Sequence, residues 1–335
     1  MKALAAIKRD KVFDTFFTKE NIELLNTIGK TVWYTPVDSF CTDELKAKIS
    51  DCDTYISCWG SPKITPDILE CAPNLRLIIH LGSTVAPIVC SEVFKKGIRV
   101  ISGFNWFSES TAEGAVAYIL TAIRKIPFYS QRLKKEKIWA RPDDFVNGLM
   151  TKKVGLIGYG GVGRGVAKRL AAFDVDISVY DIAGVPENDK QKYSITECDI
   201  KEIFEKCDVI SLHLPYNDAT HHIIDDSLLS LVKSGALLVN TARGAVIDQA
   251  ALTKHLKNGD FFAALDVFEK EPIDADDPLL SLDNVLILPH QAGVTTDLRA
   301  VLTHALIIEG AEYIDRSIEL KNEIMQSKAK NMSKF

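Results

Sequence analysis

The sequence predicts an α/β protein made of two doubly wound parallel sheets. Two observations lead there. Short apolar runs alternate with longer amphipathic stretches along most of the chain, which is the order that parallel strands with crossover helices require. One of those runs, Val154-Gly155-Leu156-Ile157, leads into Gly158-x-Gly160-x-x-Gly163 and then a helical stretch from Arg164 to Phe173.

Taken in order, residues 2–7 read as a strand, and the segment through Ile28 as helix. Thr31 to Tyr34 is strand-like. Thr42 to Ile49 is helical, with Thr42 as an N-cap candidate. Thr54 to Cys58 is a strand closed by the breakers Gly60-Ser61-Pro62. Thr65-Pro66 opens a short helix, proline suiting the first helical position. Leu77 to Leu81 is a buried strand, Val85 to Lys96 a helix and Ile98 to Ile101 a strand, which completes a first, smaller domain. Thr111 to Ile126, apolar on one face, is a crossover helix. Residues 128–150 are mixed and polar, with Trp139 the notable apolar group. After the glycine motif come strands at Asp176 to Tyr180, Val209 to Leu214, Leu237 to Asn240, Ala263 to Asp266 and Val285 to Leu288. Helices at 225–232, 249–257 and 295–316 follow the same alternation, and the Lys- and Ser-rich tail 326–335 is expected to be loose.

The glycine motif carries the first chemistry. Gly158 permits the tight turn out of the strand, Gly160 lets the backbone approach a pyrophosphate, and Gly163 lets the helix pack on the strand. The pyrophosphate then meets the positive helix end. The next strand ends in Asp181, eighteen residues beyond Gly163. A carboxylate there hydrogen-bonds ribose hydroxyls and repels a 2′-phosphate, and Ile182-Ala183-Gly184 supplies no arginine to offset it. The motif therefore points to NAD rather than NADP.

A second cluster stands at later strand exits, where open parallel sheets bind ligands. Asn240-Thr241-Ala242-Arg243-Gly244 follows one strand. Asp266-Val267-Phe268-Glu269-Lys270-Glu271-Pro272 follows the next, and Pro289-His290-Gln291-Ala292-Gly293 the last. Arg243 can grip a substrate carboxylate through two parallel hydrogen bonds. His290 can give a proton to a ketone oxygen as hydride arrives, and Glu271 can hold the ring and favour its imidazolium form. The other histidines are weaker candidates. His213 is expected on a buried strand, His80 near a strand end of the first domain, and His221, His222, His255 and His304 on the surface.

Composition excludes several classes. The 335 residues suffice for two domains, with 47% hydrophobic and 25% charged residues and a net charge of −5. Nothing suggests a nucleic-acid or anionic-membrane surface. No apolar stretch is long enough to span a bilayer, and Lys8-Arg9-Asp10 turns charged too early for a signal peptide. The seven cysteines form no CxxC pair. They read as reduced thiols of a cytoplasmic protein, with no metal site expected.

Together the stretches Val154–Gly163, Asp181, Leu212-His213-Leu214-Pro215, Asn240–Gly244 with Asp248, Ala263–Phe268 with Glu271-Pro272, and Pro289-His290 resemble the D-isomer-specific 2-hydroxyacid dehydrogenase family. The resemblance implies an NAD-dependent oxidoreductase that interconverts a small D-2-hydroxy acid and its 2-oxo acid. Arg243, Glu271 and His290 would be catalytic. Cofactor contacts would come from the glycine loop with Gly161 and Val162, and from Asp181, Leu214, Pro215, Thr241, Asp266 and Gly293. It also implies a Rossmann NAD-binding domain over 103–294, a discontinuous flavodoxin-like substrate domain over 1–102 and 295–335, and a homodimer joined around the crossover helix and the arm after it.

The sequence departs from the family at Leu81-Gly82-Ser83-Thr84-Val85-Ala86-Pro87, where Ala86 stands in place of the usual aspartate. Ser83 and Thr84 remain as substrate-binding candidates, chiefly through backbone N–H groups. A formate dehydrogenase is disfavoured, since that branch resembles a Gln/His pair. The competing reading is an NAD(H)-sensing, corepressor-like member, against which the intact Arg243, Glu271 and His290 set argues.

Overall fold

The computed structural model describes residues 1–139 and 146–333. The chain divides into two compact units, Met1–Phe107 with Val294–Phe335, and Ser108–Gly293. The division falls inside the helix Phe104–Ile123, which starts seven residues before the expected Thr111.

The first unit holds five parallel strands, β1 (Lys2–Ala6), β2 (Lys30–Tyr34), β3 (Thr54–Ser57), β4 (Leu77–His80) and β5 (Arg99–Ser102), in the order β2-β1-β3-β4-β5. That is the flavodoxin-like order. Alternation along each strand feeds two cores. Leu4, Tyr55, Ile78 and Val100 face one side, and Ala5, Ile56, Ile79 and Ile101 face the other. The helix Thr296–Arg316 covers the second side with Leu302, Leu306 and Ile307. Each fully buried Leu or Ile contributes roughly 1.5–3 kcal/mol.

Three local expectations are corrected in this unit. Cys41, not Thr42, is the N-cap of the helix Thr42–Ile49, and Thr42 is its first residue. The helix expected from Val85 is confined to Ser91–Lys95, because Pro87 interrupts it and Val89 instead bridges to Ile64. The tail is built in as far as Ser333. Just before it, Asn322–Ile324 runs antiparallel beside β5, with Ser102 N donating to Asn322 O at 3.1 Å and Ile324 N to Val100 O at 2.8 Å. A short helix, Gln326–Lys330, follows, and Ile324, Ala329 and Met332 join the core around Val85 and Ile88.

The second unit holds β6 (Lys153–Ile157), β7 (Asp176–Tyr180), β8 (Ile195–Glu197), β9 (Val209–Leu212), β10 (Leu237–Asn240), β11 (Phe262–Leu265) and β12 (Val285–Ile287). All are parallel, in the order β12-β11-β10-β9-β6-β7-β8. The chain reverses direction across the sheet between β6 and β9, the switch point at which such sheets bind nucleotides. Val154, Leu156, Val179 and Val239 pack on one face, and Ile157, Ile210, Leu238 and Leu265 on the other. Strand β8 was not anticipated. The stretch 128–150 includes a helix, Ile126–Glu136, and its residues 140–145 lie outside those described.

Candidate active site

The nucleotide end of the second unit is built around the β6 exit. Gly158 takes φ +97, a backbone region closed to ordinary side chains, and a Cβ there would lie 2.7 Å from the His213 carbonyl oxygen. Gly160 is the N-cap of the helix Gly161–Leu170, which opens at Gly161 and Val162, and no side chain caps its first N–H groups. A Cβ on Gly160 would meet nothing within 4 Å, so space is left in front of those donors. Asp181 follows β7. Its Oδ2 accepts from Tyr159 N at 2.6 Å and its Oδ1 from Ala183 N at 2.8 Å, which still leaves each oxygen a lone pair for a ribose hydroxyl. Arg164, the nearby cation on the helix, is paired with Asp189 at 2.8 Å.

Two exits beside this loop carry buried polar atoms with no hydrogen-bond partner, both ring nitrogens of His213 after β9 and Oγ1 of Thr241 after β10. Burial holds His213 neutral, pushing it down to about 3. Such orphaned groups at the carboxyl end of a parallel sheet suit a bound polar ligand. A dinucleotide therefore fits the residues present, with its pyrophosphate at Gly160 and Gly161 and its ribose at Asp181. Leu214 and Pro215 continue the β9 exit, and Gly293 ends the β12 exit with its carbonyl oxygen accepting from Ser110 Oγ at 3.0 Å.

Arg243, Glu271 and His290 leave the neighbouring strands β10, β11 and β12. Asn240 shapes the first exit, accepting from Ala242 N at 3.0 Å and donating to Arg243 O at 2.9 Å. Gly244 is indispensable to it, because a Cβ there would fall inside the Phe268 carbonyl group. The two exits thus run backbone against backbone. Burial lowers the Arg243 guanidinium from its ordinary value, and the Glu271 carboxylate opposes that shift. The arginine stays charged in any case.

Glu271 bridges two exits. Its Oε1 accepts from Phe268 N at 3.0 Å, and its Oε2 meets His290 Nδ1 at 2.7 Å. A carboxylate of this kind accepts, so the Nδ1 of His290 carries the proton and Nε2 is left outside this bond. His290 adopts φ +54, the left-handed region. It is held by Asp266, which is 1% exposed. The Asp266 carbonyl accepts from His290 N at 2.8 Å, Oδ1 from Gln291 N at 2.7 Å and Oδ2 from Ala292 N at 2.9 Å. Asp266, expected as a cofactor contact, thus spends much of its hydrogen-bonding capacity on the loop itself.

The remaining candidates are placed differently. Ser83 is half-buried in the first unit, after β4, and its carbonyl accepts from Ser102 Oγ at 3.1 Å. Thr84 is buried, and its hydroxyl donates to Ser333 O at 3.2 Å, so the side chain is committed to the tail. His80 is buried on β4, bonded through Nδ1 to Ser57 Oγ at 3.0 Å and pushed down by burial to about 3. His255, expected on the surface, is 8% exposed and sits between Asp260 at 2.9 Å and Asp226 at 3.0 Å. Asp226 lies 29 positions away in sequence, which hid this pairing. His222 is half-buried and pairs with Glu269 at 2.6 Å.

Residues 116–292 match the NAD-binding-domain model of the D-isomer specific 2-hydroxyacid dehydrogenases. A glyoxylate reductase of Thermofilum pendens is 36% identical over 262 residues, 77% of each chain. A hydroxypyruvate reductase of Thermotoga maritima is 37% identical over 259 residues, 76% of this chain and 82% of that one. Among solved structures, a D-lactate dehydrogenase of Aquifex aeolicus, complexed with NAD and lactic acid, superposes with a TM-score of 0.74 at 27% identity, covering 97% of this chain and 99% of that one. The chain belongs to the D-isomer-specific 2-hydroxyacid dehydrogenase family, as an NAD-dependent enzyme that interconverts a 2-hydroxy acid and its 2-oxo acid.

Proposed function

We propose that the substrate is a small, unphosphorylated 2-oxo acid of the glyoxylate or hydroxypyruvate class, reduced to its D-2-hydroxy acid. The observation that carries the division of labour is the 2.7 Å bond between His290 and Glu271, one strand exit away from Arg243. Arg243 receives the substrate carboxylate, its planar fork fixing the acid in one orientation. Bound NADH supplies the hydride. Nε2 of His290 gives a proton to the carbonyl oxygen as charge develops there, and retrieves it in the oxidation direction. Glu271 keeps the imidazole turned and stabilises its charged form in the transition state. Names of relatives at 36% and 37% identity support the substrate class.

The protein acts as a homodimer in this reading. Ile126 and Phe128, at the start of the helix Ile126–Glu136, are 53% and 51% exposed, and Phe262 nearby is 38% exposed. Phe128 and Phe262, with Lys125, Val285 and Leu286, line an apolar groove that a second copy would cover, Ile126 standing exposed beside it in sequence. The seven unpaired cysteines suit a reducing, cytoplasmic compartment. No helix among the described residues is long and apolar enough to cross a membrane.

The test is NADH oxidation against glyoxylate, hydroxypyruvate, pyruvate, and branched and aromatic 2-oxo acids, with NADPH in parallel. Fast turnover of the two smallest polar acids with NADH is expected. Preference for a bulky or phosphorylated acid would overturn the substrate class, and equal use of NADPH would overturn the reading of Asp181.

A further inference from the structure

Tyr118 lies on the helix Phe104–Ile123, half-buried, and has no part in the chemistry above. Its phenol O–H donates to Oδ1 of Asp266 at 3.2 Å. Burial first, and the Asp266 charge beside it second, push the phenol well above the ordinary tyrosine range, so it remains a donor.

The geometry around Asp266 gives this bond its importance. Three consecutive N–H groups, those of His290, Gln291 and Ala292, all end on Asp266. They hold His290 in a left-handed conformation that persists only where surrounding structure over-determines it. Both N–H groups on the carboxylate belong to the loop itself, so they turn with it. The last torsion of an aspartate is soft. Among the described residues, Tyr118 is the side chain that ties this carboxylate to a point outside the loop, a twenty-residue helix.

We propose that Tyr118 is a positioning residue for the reaction. Its hydroxyl fixes the rotation of the Asp266 carboxylate, which fixes the 290–292 loop, which keeps His290 aligned with Glu271. The proposal rests on the reading of His290 as the proton-transferring group. Because the effect passes through the imidazole, the hydroxyl matters only while that imidazole is present.

The experiment is Tyr118→Phe in two backgrounds, the parent enzyme and His290→Gln, with kcat, the KM for the 2-oxo acid and the dissociation constant of NADH measured in each. In the parent, kcat is expected to fall about tenfold, the lower end of the scale of a lost hydrogen bond to a charged group. NADH affinity and the melting temperature stay near the parent values, since the ring and its packing are kept. In His290→Gln the same substitution changes nothing further, the non-additivity expected of groups that act as a unit. An unchanged kcat in the parent overturns the proposal. So does an equal loss in both backgrounds, which is what a general weakening of the fold produces. Parent-level turnover in His290→Gln alone overturns the reading of His290 and the proposal with it, a pattern distinct from the other two.

Discussion

Replacing Glu271 with glutamine keeps the side-chain shape and removes one acceptor. At present Oε1 accepts from Phe268 N and Oε2 from His290 Nδ1. Glutamine offers one carbonyl oxygen and one NH2 group. If the oxygen stays on Phe268 N, the NH2 faces Nδ1 and forces the ring proton onto Nε2 of a neutral imidazole. If the oxygen faces Nδ1, the NH2 meets the Phe268 N–H, donor against donor. One charge-assisted bond is lost either way, worth ~1.5–3 kcal/mol. Water competes here, because the His290 and Glu271 side chains are 46% and 37% exposed. The lower end applies, so Glu271→Gln is expected to lower kcat by roughly tenfold. Loss of NADH absorbance at saturating NADH and 2-oxo acid measures it, and the KM for the acid stays close to the parent value because Arg243 is untouched. A kcat indistinguishable from the parent would refute the role given to the His290–Glu271 bond.

Arg243→Gln is expected to raise the KM for the 2-oxo acid about a hundredfold through loss of the bidentate clamp, while NADH binding persists; collapse of NADH binding would show that the arginine serves the cofactor side instead. Gly244→Ala forces the β10 and β11 exits apart, and a loss of ~3 kcal/mol in denaturant unfolding is expected, the upper range of overpacking; unchanged stability would mean the exits yield without cost. The buried histidines set the acid limit of the fold. Burial pushes His80 and His213 down to about 3 in the folded chain, from the ordinary histidine value of 6.5 that the unfolded chain regains. Between those values the unfolded chain holds protons that the folded chain lacks, so stability is intact above pH 6.5 and is lost as the pH falls. Each contributes a loss of about 2 kcal/mol between pH 6.5 and pH 5. Denaturant midpoints at the two pH values test this, and a flat profile would contradict the burial of both rings.

The reach of sequence reasoning follows from the range of the interactions. Strand exits are legible because apolar runs stop at polar residues, and that alone puts Arg243, Glu271 and His290 on neighbouring strands. The turn at Gly158 is legible because only glycine suits its backbone. The start of the helix at Phe104 is not, since its buried positions include Ser108 and Ser110, which look solvent-facing in a sequence. The tail is misleading for the same reason. Lysines and serines make half of its composition, while two spaced apolar residues, Ala329 and Met332, enter the core. The bond from Tyr118 to Asp266 spans 148 positions, beyond any local pattern.

The first unit is written in two instalments. Strands β1–β5 leave the ribosome before the second unit, but the helix Thr296–Arg316 that covers Ile56, Ile79 and Ile101 is made only after it. The second unit is continuous over 108–293 and emerges in between. At translation rates of about 5–20 residues per second, the uncovered face of the first sheet waits roughly 10–40 s for its lid. Nascent chains should therefore recruit holding chaperones to β3–β5 during that interval. Messages stalled before codon 296 should yield a protease-resistant nucleotide domain attached to a protease-sensitive amino-terminal segment.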